Sequence, residues 1–213
     1  MPNINTLNAD NCAFVFIDHQ PYVAFPVRSI DATVLIQNVT GLARSSRALG
    51  IPTVLTTIGA KGGPLIDPLF SQLAAVYPEV EPVDRHNTNA MADPGFVAAL
   101  EATGRRKIVV SGLWTEVCLA QTVITMLQQG YQVFFVADCS GGLSVEAHEE
   151  AKRRMTQAGA VPMTWLAVLS EISPDFTTPE FQTLLAPTAD HGQALALNVQ
   201  YTMAQMSRPA AGA

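Results

Sequence analysis

The sequence predicts a three-layer α/β/α fold, Rossmann-like, built on a parallel sheet of about six strands. Three observations carry this. Short, nearly uninterrupted apolar runs alternate with helix-period stretches from Ala13 to about Leu169, the pattern of strands covered on both faces. Gly50, Gly104, Gly130 and Gly159 stand where helical stretches stop. A chain of 213 residues, 48% hydrophobic and only 14% charged, can bury a large core without disulfide or metal staples.

The strands are expected at Ala13–Ile17, Thr53–Thr56, Ile108–Val110 and Val133–Val136, all rich in β-branched and aromatic residues, with weaker ones at Glu81–Val83 and Ala160–Thr164. Between them, Asp31–Leu49, Pro68–Val76, Pro94–Thr103, Glu116–Gln129 and Val145–Ala158 carry helical periodicity. A turn is expected at Gly62-Gly63-Pro64. Pro174, Pro179 and Pro187 mark an irregular stretch after the core, before a last helical piece at Gln193–Met206 and a frayed end over Arg208–Ala213. The expected division is a domain over residues 1–170 and an extension over 171–213, packed on that domain or on a neighbouring subunit.

Composition narrows the function classes. The net charge is −6 and the twelve Lys and Arg residues form no basic stripe, which argues against nucleic acid or an anionic membrane as partner. Met1–Asn11 has no apolar leader and no run is long enough to span a bilayer, so a cytoplasmic protein is expected. Cys12, Cys118 and Cys139 are odd in number and lack C-x-x-C spacing, which points to neither a disulfide framework nor a zinc site.

In a doubly wound sheet the ligand crevice lies beyond the carboxyl ends of the strands. Three chemically strong residues stand there. Asp18 ends Phe14-Val-Phe-Ile-Asp18, where burial and a neighbouring cation would tune a carboxylate for proton transfer; its bland reading is a loop-organising aspartate. Arg85 supplies charge, either to such a site or to a surface pair with Asp84. Cys118 follows the strand at Ile108–Val110 through Ser111-Gly-Leu-Trp-Thr115 and should lie in a helix's first turn, capped by Thr115. Amides and peptide dipoles at a helix start favour thiolate, and those near Val117 and Cys118 would face an oxyanion. The bland reading of Cys118 is a small buried hydrophobe. His19, Gln20, Phe25 and Trp114 could line a pocket or belong to the core, and His86 flanks Arg85.

Together, Phe16-Ile-Asp-His-Gln20, Arg85-x-x-x-Asn89-Ala90, Gly112-x-x-Thr115-x-x-Cys118 and Ala137-Asp-Cys-Ser-Gly141 resemble the isochorismatase-like cysteine hydrolases over roughly residues 12–170. The resemblance implies Asp18 as general acid–base, Cys118 as nucleophile and Arg85 as the basic member of a catalytic triad. It further implies a cis peptide at Trp114–Thr115 and a homo-oligomer, tetramer or octamer; apart from the resemblance, His19, Gln20, Phe25, His86 and Asn89 are the candidate substrate-pocket residues. The family's basic residue is usually lysine; arginine at position 85 resembles the YcaC-like branch. The Asp-x-His metal pattern of the nicotinamidase branch is missing after the second strand, so no metal and no cofactor is expected. Isochorismatases proper lack the cysteine, so Cys118 points to a small amide or related acyl substrate cleaved through a thioester. A redox-sensing or small-ligand-binding protein with a reactive thiol, or a catalytically degenerate member, stays open as the alternative.

Overall fold

The computed structural model describes residues 6–62 and 67–207. Gly63 and Pro64 of the expected turn and the expected frayed end at 208–213 lie outside these residues. The expected fold is present: six parallel strands, β1 (Cys12–Ile17), β2 (Thr53–Ile58), β3 (Val83–Arg85), β4 (Lys107–Gly112), β5 (Gln132–Val136) and β6 (Val161–Met163), stand in the order β3-β2-β1-β4-β5-β6. The chain order reverses between β1 and β4, which pair from Cys12 with Lys107 to Ile17 with Gly112. The crevice of the sheet therefore opens beyond Ile17 and Gly112.

Strand alternation divides the core in two. Cys12, Phe14 and Phe16 of β1 point into one buried cluster, with α2 (Ala32–Ala48), α3 (Ser71–Val76), α7 (Trp165–Ile172) and α8 (Pro179–His191). Ala13, Val15 and Ile17 point into the other, with α4 (Pro94–Ala102), α5 (Ala120–Gln128) and α6 (Val145–Gln157). A strand buried on both faces needs apolar residues at every position, which is why β1 reads as an unbroken apolar run. Helix starts follow ordinary capping: Asp31, Asp93, Ser144 and Thr164 each accept from a backbone N–H of the first turn. Gly50, Gly104, Gly130 and Gly159 all adopt positive φ at helix ends.

The stretch after the core departs from expectation, being helical rather than irregular. Thr178 caps α8, Pro179 occupies its first turn, and Pro187 lies inside it without ending it. A proline at a helix start stabilises the helix it seems to forbid, and packing against α2 supports the rest. The Arg44–Asp190 ion pair, the His191–Gln37 hydrogen bond and the close seating of His191 Cβ over Gly41 hold α8 on α2, and Trp165 of α7 packs on the same glycine. The last helix, α9 (Ala194–Met206), is tied to α2 by Gln193 Nε2 donating to Asn38 Oδ1 at 2.6 Å. A one-turn helix, α1 (Pro21–Ala24), was not expected and follows β1 directly.

At the switch point β1 and β4 touch more closely than side chains allow. A Cβ on Gly112 would stand 2.8 Å from Ile17 Cβ and 3.2 Å from its carbonyl oxygen. Gly112→Ala is therefore expected to lower unfolding free energy by about 1–3 kcal/mol. The check is the denaturant midpoint at fixed protein concentration, and an unshifted midpoint would mean that the strands separate there at no cost.

Candidate active site

Asp18, Arg85 and Cys118 meet at the crevice, although successive members are 67 and 33 positions apart in the chain. Asp18 follows β1 and is wholly buried, with φ of 56°. That left-handed conformation is uncommon for a residue with a side chain, and aspartate tolerates it better than most. Its amide donates to Thr56 O at 3.2 Å and Gln20 N donates back to Asp18 O at 2.7 Å, which fixes the turn. Thr56 Oγ1, from β2, donates to Asp18 Oδ1 at 2.9 Å, while Arg85 Nη2, from the edge strand β3, donates to Oδ2. Both members of the ion pair have completely buried side chains. Arg85 Nη1 donates to Asn87 O, and Nε has no partner. Asp84, the alternative partner considered for Arg85, instead accepts from Thr57 Oγ1, Ala60 N and Lys61 N.

Cys118, 5% exposed, stands beside Asp18 and Arg85, close enough to feel both charges. Burial and the Asp18 charge push its thiol up to about 12 against the pull of Arg85. This overturns the expectation of a preformed thiolate: desolvation and a carboxylate neighbour outweigh a helix start. Asp18 is raised too, by burial first, with Arg85, Cys118 and Thr56 all opposing. At neutral pH Cys118 is therefore a thiol, beside the carboxyl group that Arg85 holds in place.

The segment carrying Cys118 differs from the expected helix start. Thr115–Leu119 forms a π-helical turn before α5, and Trp114 rather than Thr115 occupies the cap position, without a side-chain bond. Thr115 is fully buried and spends its hydroxyl on His148 Nδ1, at 2.8 Å. The non-proline cis peptide is Leu113–Trp114, one bond earlier than the resemblance implied. The Trp114–Thr115 peptide is engaged at both ends, with Thr115 N donating to Gly141 O and Trp114 O accepting from Val117 and Leu119. Val117 is consequently not the oxyanion donor expected of it, because its amide donates to Trp114 O at 3.0 Å.

The remaining expected pocket residues are mostly employed elsewhere. His19 is fully buried, donates from Nε2 to Cys139 O at 3.0 Å and packs edge-on against Phe16 and Phe70; burial lowers it to about 4, so it is neutral. Gln20 ties loops together, donating to Asp67 O and accepting from Ile58 N. Asn89 caps a short turn through Met91 N and donates to Thr125 Oγ1 at 3.0 Å. Phe25 is 82% exposed and lines a separate cleft of about 710 Å³ with Arg28, Leu35 and Phe70, whose lining includes no triad residue. His86 is exposed. Trp114 donates from Nε1 to Val23 O at 2.6 Å, pinning α1 beside the crevice. Thr56, Asn87 and His148 were missed: a threonine inside an apolar strand run was the only sequence signal among them. Among the described residues no cluster of His, Cys, Asp and Glu could hold a metal ion.

The chain as a whole is similar to known proteins. The isochorismatase domain matches residues 12–166. The probable hydrolase YcaC of Escherichia coli is 34% identical over 171 residues, 80% of this chain and 81% of the relative. A solved structure of YcaC from Escherichia coli, described as an octameric hydrolase of unknown specificity, superposes with a TM-score of 0.86 at 31% identity, covering 95% of this chain and 98% of that one. YcaC from Pseudomonas aeruginosa, solved with hexane-2,5-diol and covalent acrylamide, gives 0.88 at 31% identity over 95% and 99%.

The charge arrangement fixes a pH response. Iodoacetamide alkylation of Cys118, followed by peptide mass spectrometry, is expected to be slow near about pH 7 and still rising near about pH 11. Asp18→Asn removes the charge that raises the thiol and leaves Arg85 to favour thiolate, so the profile moves to lower pH. A wild-type midpoint at or below the free-thiol value of about 8.5 contradicts the thiol–carboxylate pair.

Proposed function

The chain belongs to the isochorismatase family, and from that premise we propose that it is a cysteine hydrolase of small amides or related acyl compounds, working through a thioester on Cys118. One observation carries the reading: a buried thiol, a carboxylate and a guanidinium in mutual contact at the switch point of the sheet. As the sulfur attacks the substrate carbonyl, its proton passes to Asp18 and the carbonyl oxygen becomes an oxyanion, for which the Cys118 amide is the donor assigned here. Asp18 then gives the proton to the departing nitrogen, the C–N bond breaks, and a thioester and free amine result. Water, losing a proton to Asp18, attacks the thioester; the acid leaves and the sulfur recovers the proton. Arg85 keeps Asp18 oriented throughout and carries no proton itself. The cycle needs no metal or cofactor.

The covalent acrylamide on the Pseudomonas aeruginosa relative supports a reactive nucleophile in this fold, since acrylamide is a compound to which thiols add. The raised Cys118 thiol argues against the redox-sensing alternative, because peroxide reacts with thiolate. A homo-oligomer is part of the proposal, supported by the octameric relative. In it, the extension over 171–213 would pack by α8 on its own domain and present Leu197, Tyr201 and Met206, all exposed on α9, to a neighbour. Three buried free cysteines and the lack, among the described residues, of any helix able to cross a membrane support a cytoplasmic setting.

A panel of small primary amides, followed by ammonia release and intact mass, tests this. Turnover should vanish in Cys118→Ala and fall by about 10²–10⁴-fold in Asp18→Asn. A thioester adduct on Cys118, discharged by hydroxylamine, should appear during turnover. Hydrolysis that survives Cys118→Ala would refute the mechanism.

A further inference from the structure

The turn that carries Cys118 is held from outside the triad. Its first residue, Thr115, is buried and bonded through its hydroxyl to His148 Nδ1 of α6, at 2.8 Å, and through its amide to Gly141 O, at 3.0 Å. The next residue, Glu116, accepts from Leu143 N at 2.9 Å through Oε1. The loop of residues 141–143 fits between these groups because position 142 has no side chain: a Cβ on Gly142 would lie 2.5 Å from Glu116 Oε2 and 3.1 Å from His148 Cβ. His148 is itself 8% exposed. Burial and then Lys152 lower its affinity for a proton, so the ring is neutral and either tautomer keeps one Thr115 rotamer.

A π turn has a wider, less favourable hydrogen-bonded ring than an α-helix and persists where its surroundings hold it. Here the anchored end lies three residues before the nucleophile. We infer that His148 is a positioning residue: through the Thr115 hydroxyl it fixes the π turn that seats Cys118 Sγ against Asp18. The inference rests on the reading of Cys118 as nucleophile and Asp18 as proton carrier, and concerns which residue outside the triad secures their contact.

The probe is iodoacetamide alkylation of Cys118 across pH, in wild type, Thr115→Val, His148→Leu, the double variant and His148→Asn, each with and without Asp18→Asn. Thr115→Val conserves shape and removes only the hydroxyl, while the amide of His148→Asn can replace Nδ1. In Thr115→Val and His148→Leu the profile should leave that of wild type, and Asp18→Asn should shift it little further. The double variant should match either single one, and His148→Asn should restore the wild-type profile. With an active substrate, kcat should fall by about 100-fold, the scale of a roughly 1 Å misplacement, with KM little changed. A Thr115→Val protein that is folded by circular dichroism and keeps the wild-type, Asp18-dependent profile overturns the inference, even if His148→Leu fails to fold. Failure of every amide to turn over would sink the hydrolase and leave the alkylation series to judge the positioning role by itself.

Discussion

The rest of the site depends on the buried ion pair between Asp18 and Arg85. Charges without solvent are stable only when their remaining hydrogen-bonding positions are filled. Here Thr56, Arg85 and the Cys118 thiol surround the carboxylate, and Asn87 O takes a second guanidinium N–H. Removing one partner from a pair of this kind typically costs about 3–5 kcal/mol, because the other charge stays buried alone. Stability and chemistry therefore coincide. Four parts of the chain, the end of β1, β2, β3 with the loop after it, and the turn after β4, must dock in register before the ion pair is satisfied. The order β3-β2-β1-β4 supplies that register, with Thr56 directly opposite Ile17 on one side and Gly112 on the other.

The same pair decides when sulfur becomes charged. A preformed thiolate would stand beside a carboxylate in a dry site, so at rest the sulfur keeps its proton. In the proposed cycle the proton moves as the carbonyl carbon arrives, and negative charge passes onward to the carbonyl oxygen rather than collecting on sulfur. Such a thiol is protected from adventitious oxidation while idle. A cysteine poised as a sensor has the opposite need, and its neighbours would be cations without the carboxylate.

How far the sequence speaks depends on which forces act locally. Unbroken apolar runs declare doubly buried strands because every position must exclude water, and helix ends with glycine declare themselves through the left-handed residue they require. Asp18, Arg85 and Cys118 were legible because the crevice rule sends attention to residues after strands. The π turn was not, since the hydrophobic period of Leu119–Gln128 is the same whether one extra residue is wound in before it. Thr115 illustrates the limit: a threonine before a helix reads as a cap, but a histidine 33 positions away takes its hydroxyl. His19 and Gln20 follow Asp18 directly in sequence yet point into structural bonds with Cys139, Ile58 and Asp67. Adjacent residues after a strand face different sides, and sequence proximity does not say which side holds the crevice.

Arginine at position 85 follows from where the cation originates. β3 is the edge strand and β1 lies two places inward, so the charge must cross β2, roughly 10 Å at ordinary strand spacing. A long side chain is needed, and its head must arrive oriented. The planar guanidinium offers donors in different directions at once, toward Asp18 and toward Asn87 O, while its charge also acts on Cys118. The bond to Asn87 O is what makes the plane useful, because it stops rotation of the head about the bond to Asp18. A lysine ammonium would carry the same charge to the carboxylate, but as a point charge free to turn, with no plane for the bond to Asn87 O to fix. The loop after β3 and the Asp18–Arg85 pair are thus one mechanical unit, and the orientation of the cation is set by the loop as much as by the carboxylate.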